Sequence, residues 1–168
     1  MMATIRPRED SDIPTCLRIL DAVYKSTGYP VGGVNNSVSF FTKNETAWVA
    51  EVNGMVVGHI SLTKASSENV AVALWKQRYP EDIDIAVLGR LFVHPESRRG
   101  GVASRLIETV IEESRRTGQR LLLFALVKDQ DAIRLYRRMG WNHFGSTIFR
   151  WGNNNEMAAE CFANPVFL

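Results

Sequence analysis

The chain has 168 residues, a length that suits one domain, with 45% apolar residues and a formal net charge of +2. At this size roughly 70% of the unfolded surface can be buried, so the fold needs neither a structural metal nor a disulfide. The charge is too small to predict a nucleic-acid or membrane partner. The two cysteines, Cys16 and Cys161, lack any CxxC or other ligand spacing and read as independent thiols of a reduced, cytoplasmic protein. The N-terminal MMATIRPRED has no apolar leader segment, no run reaches about 18 apolar residues, and ATIRPRE alternates weakly as a first strand ended near Pro7. SDIPTCLRILDAVYKSTG then predicts a helix with Ser11 or Asp12 as N-cap, Pro14 in its first turn and Gly28 at its end. YPVGGVNNSVSFFTKNE is rich in turn residues and is expected to be a loop with a short helix around Ser37 to Phe41.

The clearest local signal follows. TAWVAEV and MVVGHISLTKA are alternating, β-branched runs joined by Asn53-Gly54, which predicts a hairpin with a type I′ turn. SSENVAVALWKQRYPEDID predicts a short helix ending before Pro80, and IAVLGRLFVHP a strand stopped by Pro95. From Ala103 the apolar positions Leu106, Ile107, Val110 and Ile111 lie on one helical face, with Gly118 closing the helix. RLLLFALV reads as a strand covered on both faces, DQDAIRLYRRMG as another capped helix stopped by Gly140, and WNHFGSTIFRW and EMAAECFANPVFL as final strands around GNNN.

The segment HPESRRGGVASRL raises a chemical question. Adjacent arginines repel and glycine is a poor helix former, yet Arg98, Arg99, Gly100 and Gly101 stand together where a helix must start. The first turn of a helix has backbone N–H groups without intrahelical partners and a partial positive charge, so a glycine-containing approach makes a cradle for phosphate. The arginines add charge and forked donors; the alternative is a solvated turn with surface arginines. GxxxxGK[ST], GxGxxG and GxSxG are absent, and His59, His94 and His143 form no metal-ligand spacing.

LFVHPESRRGGVASRLIE resembles the central motif of the GCN5-related N-acetyltransferase (GNAT) superfamily, an apolar strand ending V-x-P followed by Arg/Gln-x-x-Gly-x-Gly/Ala at a helix start. Arg98, Gly101 and Ala103 stand at its three defining positions. AIRLYRRMGW is similar to the family's second signature, A-x-x-L-Y-x-x-x-G-F, with Trp141 in place of Phe. The order of elements fits over essentially the whole chain. The resemblance implies one α/β domain over residues 1–168, with a mixed, mostly antiparallel central sheet flanked by helices and splayed at the acyl-CoA site. It implies an acetyl-CoA-dependent N-acetyltransferase in which a primary amine attacks directly, with acetyl-CoA as donor and no metal.

By the same resemblance, the N–H groups from Arg99 through Gly100, Gly101, Val102, Ala103 and Ser104, with Arg98, hold the pyrophosphate. The backbone of Leu91, Phe92 and Val93 pairs with the pantetheine arm, and an N–H near Phe92 or Val93 polarises the thioester. Tyr136 matches the tyrosine that protonates the departing thiolate, the favoured reading; sharing a helix face with Ala132 and Met139, it has plain core as its alternative. Asp129 stands where many relatives carry Asn; ionised, it can only accept a hydrogen bond. Glu51, His59, Asp84 and His94 are candidates for a general base. Tyr29, Phe40, Phe41, Trp75 and Tyr79 fit an acceptor pocket for a small-molecule or peptide amine, but also lid packing or contacts of a homodimer. A non-catalytic acyl-CoA-binding module is the alternative function. RNA binding through the arginines fits poorly, since no interleaved aromatics offer stacking.

Overall fold

The computed structural model describes residues 2–33, 41 and 45–165. The expected helix from Ser37 therefore lies, except for Phe41, outside the described residues, as does Phe40. The chain folds as two compact units, each made of two stretches: Met1–Thr63 with Gly89–Val110, and Lys64–Leu88 with Ile111–Leu168. Strand β4 (Ile85–Val93) and helix α3 (Val102–Thr117) each contribute residues to both.

In the first unit the hydrogen-bonded strand order is β1 (Thr4–Pro7), β2 (Glu45–Val52), β3 (Met55–Lys64) and the second half of β4. The β2–β3 hairpin turns at Asn53 and Gly54, whose φ values of 54° and 77° are the two positive angles of a type I′ turn. Its ladder passes from Ala50–Gly58 to Glu51–Val56, so Val57 is an extra residue in β3. Helix α1 (Ile13–Thr27) buries Cys16, Ile19, Leu20 and Val23, spaced three and four apart, against Phe41, Val49 and Phe92. Gly28, at φ 78°, closes it by donating to the Tyr24 carbonyl.

Asp12 precedes α1 but does not cap it with its side chain. A 3-10 turn over Asp10–Asp12 comes first, and the Asp12 carboxylate accepts from the Glu9 N–H and from both terminal nitrogens of Arg6, at 2.8 Å each. The Arg6 bonds hold the Asp12 carboxyl below its ordinary range.

The second unit places its strands in the order β4, β5 (Arg120–Leu126), β7 (Asn155–Ala163), β6 (Asn142–Trp151). The β4–β5 pairing is parallel and its ladder comprises Ile85–Arg120, Ala86–Leu121 and Val87–Leu122. β7 is antiparallel to both its neighbours. Helix α2 (Val70–Arg78) is capped by Asn69, whose side-chain oxygen accepts from the N–H groups of Ala71 and Val72. Its buried face, Ala71, Val72 and Trp75, packs with Ile85, Val87, Leu122 and Cys161. Helix α4 (Gln130–Arg138) buries Ile133 and Tyr136. The fold class is thus mixed α/β, seven strands with mostly antiparallel pairings and flanking helices. No described helix is long and apolar enough to cross a membrane. Both cysteines are free and buried, and burial pushes their thiols up to about 12.

Candidate active site

The segment between β4 and α3 is a 3-10 turn over Pro95–Gly100 rather than an open loop. Proline at its start supplies the fixed φ, and His94 caps it: Nδ1 accepts from the Glu96 N–H at 3.2 Å. A 3-10 turn uses backbone groups of its own in i→i+3 bonds, and Gly101 then reverses the chain at φ 72°. The first α-helical bond runs from the Arg105 N–H to the Gly101 carbonyl at 3.1 Å. The N–H groups of Val102, Ala103 and Ser104 precede that ladder and carry the positive end of the helix dipole.

This cradle is open. A Cβ built at Gly101 meets nothing within 4 Å, and one at Gly100 only Val102 Cγ2 at 3.9 Å. Arg98 and Arg99 are exposed on the turn, and neither takes part in an ion pair among the described residues. Behind the cradle the packing is tight: a Cβ at Gly58 would stand 3.2 Å from both Leu106 Cδ1 and Val102 Cγ1 and 3.3 Å from the Phe92 carbonyl. Gly58 thus lets β3 seat the start of α3 against β4. The arrangement could take a diphosphate: three N–H donors ahead of the helical ladder, open space over two glycines, and two exposed guanidinium groups.

Leu91, Phe92 and Val93 end β4, with Phe92 and Val93 buried. Just before them Arg90 has φ 48°, a left-handed angle uncommon for a side chain of its size. Around Arg90 lies a charged cluster that sequence reasoning did not assemble. Glu45, whose side chain is fully buried, pairs with Arg8 at 2.6 Å and with Arg90 at 3.6 Å, and its Oε2 has no hydrogen-bond partner among the described residues. His59, also fully buried, places Nδ1 2.8 Å from the Arg90 carbonyl and Nε2 2.9 Å from Arg8 Nη1. A carbonyl can only accept and a guanidinium only donate, so Nδ1 carries the proton and His59 is neutral. Burial is the main cause that brings its pKa from 6.5 to about 4, and the Arg8 and Arg90 charges add to it. Its ring stacks on Phe92 at 5.0 Å and meets the edge of Phe41 at the same distance. A neutral imidazole whose two nitrogens are both engaged is built for holding structure, not for taking up a proton near pH 7.

The other candidate bases are dispersed. Glu51 is bound by Arg6 Nε at 2.7 Å, Asp84 is exposed, and His94 is engaged as the turn's cap. Tyr136 is 5% exposed within a ring cluster, 5.6 Å from Trp141 edge-on and 6.0 Å from Phe162. Trp141, the departure from the motif's Phe, buries an indole N–H that has no hydrogen-bond partner among the described residues. Asp129 precedes α4 but makes no side-chain cap; its carboxylate pairs with Lys128 at 2.8 Å. Of the predicted pocket aromatics, Phe41 and Tyr29 belong to the apolar cluster of α1 in the first unit. Trp75 and Tyr79 lie in the second, beside a cleft of about 620 Å³ that Arg78, Arg120 and Phe144 also line.

Comparison with known proteins gives the chain its family. Residues 16–141 match the acetyltransferase (GNAT) family, more than half of the chain, and the protein belongs to that family. A curated relative, an uncharacterized N-acetyltransferase of Methanocaldococcus jannaschii, is 30% identical over 95 residues, 56% of this chain. The match spans 38% of that relative's length. Among solved structures, the ribosomal-protein-S18-alanine N-acetyltransferase of Escherichia coli is similar with a TM-score of 0.73 at 20% identity, over 99% of this chain and 96% of its own. NAA60 of Arabidopsis thaliana, solved in complex with acetyl-CoA, gives 0.71 at 19% identity, over 97% of this chain and 98% of its own. At these identities the likeness to solved structures is one of fold.

Proposed function

We propose that the protein is an acetyl-CoA-dependent N-acetyltransferase that moves an acetyl group to a primary amine of a small molecule or peptide by direct attack. The observation that carries this reading is the open cradle at the start of α3, where three N–H groups ahead of the helical ladder meet two glycines and two exposed arginines. Family membership and the acetyl-CoA complex of the similarly folded NAA60 support the donor. In this reading Val102, Ala103 and Ser104 bind the diphosphate through their N–H groups and Arg98 and Arg99 neutralise it, while Gly100 and Gly101 leave the approach clear. Leu91, Phe92 and Val93 offer backbone groups to the pantetheine arm, Asp129 only an acceptor. An N–H near Phe92 or Val93 faces the charge that develops on the thioester oxygen.

Bound acetyl-CoA supplies an activated acyl carbon: its C–S bond breaks as the C–N bond to the amine forms. The amine gives up one proton and the departing sulfur takes one, and Tyr136 is assigned to the second transfer. A non-catalytic acyl-CoA-binding module is the second reading, and one observation favours it: Tyr136 is packed among rings like an ordinary core residue.

Acetyl-CoA at about 100 times its Kd is expected to stabilise the protein by about 2.7 kcal/mol, a rise in Tm of roughly 5–10 °C in a thermal-shift titration. The same titration on Gly100→Glu should show no rise, because a carboxylate then occupies the cradle. Gly101 is the poorer position for this test, since its left-handed φ strains any side chain; Gly100 has no such angle and is exposed. The unliganded variant should therefore melt close to the wild type. No rise for the wild type at millimolar acetyl-CoA would end both CoA-based readings.

A further inference from the structure

Two neighbouring carbonyls of β4 are held by side chains of β3. His59 donates from Nδ1 to the Arg90 carbonyl at 2.8 Å, and Ser61 donates from Oγ to the Gly89 carbonyl at 3.2 Å. The two residues lie two apart on one strand, so they share a face, and both are fully buried. Between the two held carbonyls, Gly89 and Arg90, the chain makes its left-handed step, and further along the His94 N–H donates to the Val57 carbonyl at 2.7 Å. A residue at positive φ inside a strand re-aims the backbone groups that follow it. It persists only where the surroundings over-determine it. The surroundings here do so from every side. Phe92 stacks on the His59 ring, Arg8 donates to its Nε2, Phe41 closes its edge, and Glu45 draws the Arg90 guanidinium.

We infer that His59 and Ser61 form a clamp that sets the angle at Arg90 and thereby aims the β4 N–H near Phe92 or Val93 at the thioester carbonyl. They are positioning residues: neither touches the reacting atoms, and their effect passes through the β4 backbone. The inference rests on the acetyl-CoA reading, and it assigns to two side chains of β3 the alignment of a donor that β4 supplies. A donor is effective only when held at the place where charge develops, so a small rotation at Arg90 is felt in catalysis before it is felt in binding.

The test uses the full-length protein and acetyl-CoA labelled with carbon-13 at the carbonyl, read by isotope-edited infrared difference spectroscopy. Polarisation by a fixed donor moves the bound thioester stretch to lower wavenumber. His59→Asn keeps an N–H close to the position of Nδ1; His59→Leu has nearly the same shape and no donor. The expected result is a downshift in the wild type, largely kept in His59→Asn and at least halved in His59→Leu, with CoA affinity changed less than about threefold, since CoA has no acetyl carbonyl. Ser61→Ala, which removes one hydroxyl, should lose part of the downshift. If His59→Leu does not fold, Ser61→Ala carries the test, and an unchanged downshift in it overturns the clamp. An unchanged downshift in a folded His59→Leu, or equal losses in the Asn and Leu variants, overturns it too while leaving the acetyl-CoA reading intact. Absence of any acetyl-CoA binding by the wild type overturns both.

Discussion

Tyr136→Phe is expected to lower kcat about 100-fold, the usual contribution of a positioned general acid. The substitution keeps the ring that packs against Trp141 and Phe162, so the chain should still fold, with a stability change no larger than one hydroxyl contact, about 0.5–1.5 kcal/mol. It removes the one proton the side chain can deliver. Loss of a neutral hydroxyl from a binding contact is worth about 0.5–1.5 kcal/mol, so acetyl-CoA affinity should fall by no more than about tenfold. Steady-state kinetics on an accepted amine, with cofactor binding measured on the same preparation, separate the two effects. An amine panel of amino acids, polyamines, aminoglycosides and peptide N-termini supplies the acceptor. An unchanged kcat, with chemistry shown to be rate-limiting, would assign proton delivery to water and leave Tyr136 as core.

The second large effect is on stability. His59 is buried and neutral, with burial bringing its pKa to about 4 against 6.5 for an exposed histidine. Below pH 6.5 the unfolded chain takes up a proton that the folded one refuses, so stability falls as the pH falls, until the folded form also protonates near pH 4. A difference of this size corresponds to about 3 kcal/mol lost across that window. His59→Asn cannot titrate and should lack this component. Denaturant unfolding of both proteins at several pH values between 7 and 4 checks it. Asp12 and Glu160, whose carboxyls are held below their ordinary range, lose their contribution in more acid solution in both proteins and cancel in the difference. A difference between the two proteins that does not vary with pH would show that His59 meets solvent.

Sequence made local features legible because their causes are local. Asn53-Gly54 demands the turn it forms, Pro95 stops β4, and Gly28, Gly118 and Gly140 stand at positive φ just past helices. The helix start after Gly101 was legible for the same reason: the residues that make it are consecutive. What could not be read depends on residues far apart in the chain. Arg8, Glu45, His59 and Arg90 lie on four different segments, and nothing in any one of them announces the others. His59 looked like a candidate base as a lone polar residue on an apolar strand, and its partners make it a brace. Asp12 and Asp129 carry a capping residue's sequence signature, but Arg6 and Lys128 claim their carboxylates. The position of β7 between β5 and β6 is likewise a matter of long-range pairing, invisible in the alternation of either strand.

The buried thiols have a practical consequence. Cys16 lies in the first compact unit and Cys161 in the second, and both stay protonated at neutral pH behind protein atoms. An alkylating reagent therefore reacts with each only after its own surroundings have opened. The natural chain carries one silent chemical stopwatch per unit, without any engineered label. Mass spectrometry of partly alkylated protein would date the two openings separately. Equal rates would mean that the two units open in one event, and unequal rates would reveal which unit opens first.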